Sequence, residues 1–193
     1  MRNLTSGWCR DSLLTSSLTA AQPSVSVQMK RSKERITRSD LKKLLALARS
    51  DMAEFFERNP SYKNYEGKEV LVALCQGAAL HYIDKTNGVK DFDVWFFYPA
   101  RSSNLPYRRR GVVDFGESKY GVHPEARNRG FHGRTVDVLM RSDKCFKGKA
   151  PEKEISNYLS SKKTQTSILL SQKAVIGLCP EALFGEVLWP TEH

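Results

Sequence analysis

The sequence predicts an α/β (α+β) domain: a small mixed sheet packed with helices, followed by a C-terminal helical segment. Three observations lead there. Apolar, branched runs at 69–75 and 91–98 have the length and composition of strands, with a helical pattern between them. A third run at 134–142 alternates as a strand does. An amphipathic helical stretch at 37–60 precedes all three.

The 193 residues suit one domain, long enough to bury a core without staples. Lys and Arg total 31 against 21 Asp and Glu, and the resulting net charge of +10 favours an anionic partner such as a nucleotide or nucleic acid. The cysteines Cys9, Cys75, Cys145 and Cys179 form no Cys-x-x-Cys pair. That speaks against a zinc knuckle or a disulfide framework and for a reducing, cytoplasmic setting. No run is long and apolar enough to span a bilayer, so no membrane partner is expected. Residues 1–28, rich in Ser, Thr and Ala, read as a disordered leader. Their apolar stretch is too broken for a signal peptide, and Asp11 interrupts the basic character of a transit peptide. Residues 29–150 form the expected core, and 151–193 its C-terminal helical segment.

In the first helix Ser39 can cap the start, and Leu41, Leu44, Leu45, Leu47, Ala48, Met52 and Phe55 or Phe56 make the apolar stripe. Asn59-Pro60 ends it. Gly77 follows the first strand at once, and "AALHYIDKTNG" reads as a short helix closed by Asn87-Gly88. The crossover rule then pairs the strands at 69–75 and 91–98 in parallel, and an antiparallel or helical arrangement would sink the fold argued below. Residues 100–130 are irregular and dense in Arg, Gly and Pro, with a short strand and turn in "RGVVDFGESKYG". Two helices are expected near the end, about "PEKEISNYLSSK" and "TSILLSQKAVIGL", and the tail "CPEALFGEVLWP" adds a turn of helix.

The stretch "GVKDFDVWFFYP" puts Asp91 and Asp93 at the head of an apolar strand. Side chains two apart share a face, so both carboxylates project together. Either the strand end is solvated, or a cation sits between them. Asp137, inside "TVDVLM", is a carboxylate in a buried-looking position, costly without a partner. Three such acids on neighbouring strands can hold two Mg²⁺ ions, the arrangement of two-metal phosphoryl chemistry. Gly77, at a helix start after a strand, lets backbone amides approach a phosphate.

Strand, Gly77-Ala78, helix, Asp91-x-Asp93 and a later Asp137 together resemble the polymerase-beta-type nucleotidyltransferase superfamily over residues 68–142. The resemblance implies the nucleotidyltransferase fold. It also implies a Mg²⁺-dependent enzyme that moves a nucleotidyl group from a nucleoside triphosphate to a hydroxyl or amino acceptor on RNA, a protein or a small molecule. Asp91, Asp93 and Asp137 would then be catalytic and metal-binding. Gly77 and Ala78, with Arg108, Arg109 and Lys173, would bind the nucleotide. Ala78 stands where the family carries a second Gly or a Ser, so a nucleotide- or nucleic-acid-binding module without turnover is the alternative. "ESK", with Glu117 and Lys119, also has the form of a metal-dependent nuclease motif, which belongs on a strand.

The remaining signals have plainer readings beside the functional ones. Asp114 is a rival third acid or a turn-stabilising residue. Arg108, Arg109, Arg110, Arg127, Arg129 and Arg134 bind phosphates, or are solvated. The segment from Arg101 to Arg134 has the length to fold over the site as a lid, or is a surface excursion. His81 reads as packing, and "KRSKER" at 30–35 as a solvated arm or a nucleic-acid contact.

Overall fold

The computed structural model describes residues 31–101, 105 and 110–190. The expected leader therefore lies outside the described residues, as do Arg108 and Arg109; most of the expected lid segment is described, and it supplies a strand of the sheet, Arg110–Asp114, and a short helix, Pro124–Arg127.

Helix α1 (Arg38–Arg58) starts two residues earlier than Ser39 capping would give. Thr37 is the cap: its hydroxyl accepts from the Asp40 N–H while the Asp40 carboxylate accepts from the Thr37 N–H, a reciprocal box. Both Phe55 and Phe56 are buried with Leu41, Leu44, Ala48 and Met52. Strand β1 (Leu71–Cys75), helix α2 (Gln76–Asp84) and strand β2 (Phe92–Pro99) follow. Lys85, in the left-handed region, caps α2 before Asn87-Gly88 is reached. Then come β3 (Arg110–Asp114), the short α3 (Pro124–Arg127), β4 (Thr135–Asp143), α4 (Pro151–Ser161) and α5 (Gln165–Ser171).

The C-terminal segment is not all helical. Ala174–Cys179, expected to continue a helix, is strand β5, and Val187–Trp189 is strand β6 after a single 3-10 turn at Glu181–Leu183. All six strands form one mixed sheet in the order β3-β4-β2-β1-β5-β6. Residues 174–179 thus belong inside the core sheet, beside β1.

The expected parallel pairing of the first two strands is wrong. β1 and β2 run antiparallel, with Leu71 opposite Phe97 and Cys75 opposite Asp93. The crossover rule governs connections between parallel strands, and α2 does not cross the sheet from end to end. It folds back at the end where β1 stops and β2 begins. The parallel pair is β2 with β4, in register from Phe92–Val136 to Pro99–Asp143.

Alternation along the strands divides the core into two layers. On one face Val72, Leu74, Val94, Phe96, Val136 and Val138 pack against α1, joined by Ala78 and Ala79 of α2. On the other, Leu71, Ala73, Trp95, Phe97 and Val175 meet Ile155, Tyr158 and Leu159 of α4 and Leu170 of α5. No helix among the described residues is long and apolar enough to cross a membrane.

Candidate functional site

On the α5 side of the sheet one row of side chains crosses four strands. Asp137 of β4 stands opposite Asp93 of β2, which stands opposite Cys75 of β1, which stands opposite Val175 of β5. Neighbouring strands lie about 4.8 Å apart, so the two carboxylates are held side by side on one face. Asp91 precedes Asp93 by two residues, at the end of the sheet where α2 begins.

A cavity of about 600 Å³ opens at this end, lined by Gln76, Gly77 and Ala78 of α2, by Asp91 and Asp93, and by Lys173. Lys173 lies in the turn between α5 and β5 rather than in a helix. Trp95, Leu139 and Leu169 form an apolar wall, and Arg31 and Lys90 complete the basic side. The Trp95 indole N–H is buried with no hydrogen-bond partner.

Gly77 marks where the cations meet. A Cβ built there would lie 3.7 Å from Arg31 Nη1, 3.9 Å from Lys173 Nζ and 3.5 Å from Asn87 Nδ2. The local chain is arranged for this. Gln76 adopts φ 61 in the left-handed region, and an isolated bridge to Ala174 ties it to the start of β5. Asn87 Nδ2 donates to the Gly77 carbonyl at 3.0 Å, and Arg31 Nη1 approaches the Asn87 carbonyl at 3.4 Å. Ser32 forms a bridge with Val89, so the basic arm is seated against the α2–β2 connection rather than lying free.

A smaller cavity of about 170 Å³ lies on the other side of Asp91, lined by Lys90, Asp91, His123, Glu125, Arg129 and Asp137 among others. Asp91 and Lys90 line both spaces. Asp137 is almost wholly buried, at 2 % exposure. The three acids are oxygen donors, the chemistry Mg²⁺ takes. As they stand, no three Asp, Glu, His or Cys groups among the described residues converge closely enough to hold a metal ion.

His123 caps α3, its Nδ1 accepting the Glu125 N–H at 3.2 Å. Nε2 therefore carries the ring proton, and that atom is buried with no hydrogen-bond partner. Burial pushes His123 below the ordinary imidazole value, aided by Lys90 and Arg134 and opposed by Glu125 and Asp91.

The other candidates resolve into supports. Asp114 accepts from the amides of Gly116, His132 and Gly133, the turn-stabilising role. Burial works to raise its carboxyl, and those bonds outweigh it and hold it low. Buried Arg134 donates from Nε to the Tyr120 carbonyl at 2.8 Å, an internal strut. His81 is wholly buried, accepting at Nδ1 from the Gly88 N–H and donating from Nε2 to the Glu34 carbonyl. Glu117 and Lys119 lie off any strand, and Lys119 is paired with Asp40 at 2.8 Å, so the nuclease geometry is missing.

Sequence reasoning missed Arg31, Lys90 and Trp95 as lining residues, and His123 altogether. "HPEAR" carried the signal for the last: Pro at the first helical position makes the preceding residue a cap. Compared with protein-family models, curated proteins and solved structures, the chain matches none of them.

Proposed function

We propose that this domain is a nucleotidyltransferase of the polymerase-beta type that takes a nucleoside triphosphate in the larger cavity. One observation carries the reading: the start of α2, two cations around Gly77 and the Asp91/Asp93 pair all border a single space. The parallel β1–β2 pairing on which the expected fold was to stand is absent, and the reading rests instead on that convergence. Had β1 and β2 run parallel, the start of α2 and the head of β2 would sit at opposite ends of the sheet, about 17 Å apart for a five-residue strand. The antiparallel pair brings them together.

Arg31, Lys173 and the first amides of α2 would hold the phosphates, and Trp95, Leu139 and Leu169 offer an apolar wall for the base. Asp91, Asp93 and Asp137 would hold Mg²⁺, which when bound supplies neutralisation of the triphosphate and activation of the attacking oxygen. Asp93→Asn is the test. Incubated with each radiolabelled triphosphate, the parent should release pyrophosphate and the variant, equally folded, should not. Unchanged release by the variant rejects the carboxylate assignment.

A second reading, a binding module without turnover, is favoured by the spread of the carboxylates over two cavities and by buried Ala78. Triphosphate binding with no pyrophosphate release from the parent over long incubation in Mg²⁺ would select it.

A further inference from the structure

His81 is a titratable side chain that the proposed chemistry does not use, and it is wholly buried. An aliphatic side chain would fill the same space. What the imidazole adds is two hydrogen bonds to backbone outside its own helix. Its Nδ1 accepts from the Gly88 N–H at 3.0 Å, and its Nε2–H donates to the Glu34 carbonyl at 3.1 Å. One ring thus ties both the basic arm and the α2–β2 connection to α2.

Those two segments carry Arg31. Ser32 and Val89 exchange backbone hydrogen bonds at 2.9 and 2.7 Å, and Lys33 Nζ donates to the Thr86 carbonyl. Gly88, with φ 74, lies directly against the arm: an added Cβ would come 2.8 Å from Arg31 Cβ. The residue that His81 holds by its N–H is therefore the one against which the Arg31 side chain starts. Gly77 and His81, one helical turn apart on α2, share a face. What is fastened at His81 extends along the side of the helix that begins with Gly77. Arg31 Nη1 lies 3.7 Å from the Cβ position of Gly77.

Resting on the phosphate site proposed above, we infer that His81 is a positioning residue for Arg31. It fixes the arm and the connection in the arrangement that brings the guanidinium to the start of α2. Arg31 is exposed, and an exposed arginine on a loose arm would lose its rotamer freedom only when a phosphate binds. The latch at His81 restricts the arm beforehand, so less is lost on binding.

Coupling between sites is reciprocal, so a phosphate ligand that draws on Arg31 must also tighten the latch. The test uses the full chain, Mg²⁺ and inorganic tripolyphosphate, which carries neither base nor sugar. In the parent, saturating tripolyphosphate should slow exchange of the Gly88 amide about fivefold relative to the amides of α1, which does not line the cavity. In Arg31→Ala the same ligand should leave that ratio unchanged. Binding gives the second arm. His81→Gln keeps a donor near Nε2 but offers Gly88 no acceptor, and it should weaken tripolyphosphate binding about fivefold, the effect of one hydrogen bond. In an Arg31→Ala background the same change should cost less than about twofold. Equal losses with and without Arg31 would overturn the latch, and so would a parent that binds tripolyphosphate with no added protection at Gly88. Exchange in the parent and in Arg31→Ala decides the matter if His81→Gln does not fold. A parent that binds no tripolyphosphate is a different result: it removes the phosphate site, and the proposed function and this inference with it. Coupled protection at Gly88 without pyrophosphate release from any nucleoside triphosphate upholds the latch and leaves a binding module around it.

Discussion

Cys75 and Asp93 stand opposite each other across the antiparallel β1–β2 pair, a thiol and a carboxylate side by side on the face that carries the larger cavity. Cys75 is wholly buried, and burial together with the Asp93 charge pushes its thiol well above the ordinary value. A thiol so placed is a structural filler beside the acids and not a nucleophile.

It follows that Cys75 resists alkylation. At pH 8 iodoacetamide should leave Cys75 unmodified in the folded protein and label it in urea. Cys145, pushed up to about 12 by burial and Asp143, should also react slowly. Peptide mass spectrometry reads both. Labelling of Cys75 at the same rate in folded and unfolded protein would refute its placement.

Much of this architecture was legible and some was not, for identifiable reasons. α1 was readable because Leu41, Leu44, Ala48, Met52 and Phe55 recur at helical spacing. Residues 174–179 were misread because β5 lies between β1 and β6 and all but its last residue are buried, so it shows a continuous apolar run rather than alternation. The acids were legible as same-face residues from their spacing alone. The direction of β1 against β2 was not, because the sequence of a connecting helix does not say which end of the sheet it covers. The seating of Arg31 depends on the Ser32–Val89 bridge, a long-range pairing without a local signal.

Asp40 gives the fold a defined acid sensitivity. Partial burial works to raise its carboxyl, and hydrogen bonds from Lys119, Thr37 and Tyr120 outweigh that and hold it below the usual range. Its folded value being depressed, the stability it contributes is fully present above the unfolded value of about 3.9 and is lost as pH falls through the folded one. Asp40→Asn should therefore destabilise the protein at pH 7, and the gap to the parent should close below about pH 4. Urea midpoints across pH 3 to 7 measure this. A gap independent of pH would show that the Asp40 charge contributes nothing.

Gln76 occupies a backbone conformation that side chains rarely adopt, φ 61, at the rim of the larger cavity. For a non-glycine residue this region costs about 1–2 kcal/mol, partly offset for glycine by the freedom it regains when unfolded. Gln76→Gly should thus raise stability by up to about 1 kcal/mol while weakening triphosphate binding through the lost side chain. Thermal melts and equilibrium binding separate the two effects. A variant that loses stability would show that the strain is absent or that the side chain holds the turn.

Two glycines test the difference between a residue kept for packing and one proposed to contact a phosphate. At Gly177 an added Cβ would sit 2.2 Å from the Leu183 carbonyl oxygen, a backbone atom held by the turn between β5 and β6. Gly177→Ala must push the two segments apart, and a loss of about 3 kcal/mol is expected from overpacking of that kind. At Gly77 the same Cβ meets its neighbours at 3.5 Å or more, all of them side-chain nitrogens. Alanine fits there without strain, and in a helix it gains about 0.5–1 kcal/mol over glycine. Gly77→Ala should accordingly melt at or above the parent temperature. It should nonetheless bind triphosphate more weakly, because the methyl occupies the point shared by Arg31 and Lys173, where a phosphate would come closest to the backbone. Thermal melts paired with titration of a nucleoside triphosphate in Mg²⁺ decide the matter. A Gly77→Ala protein that is stable and binds as the parent does would remove Gly77 from the phosphate site.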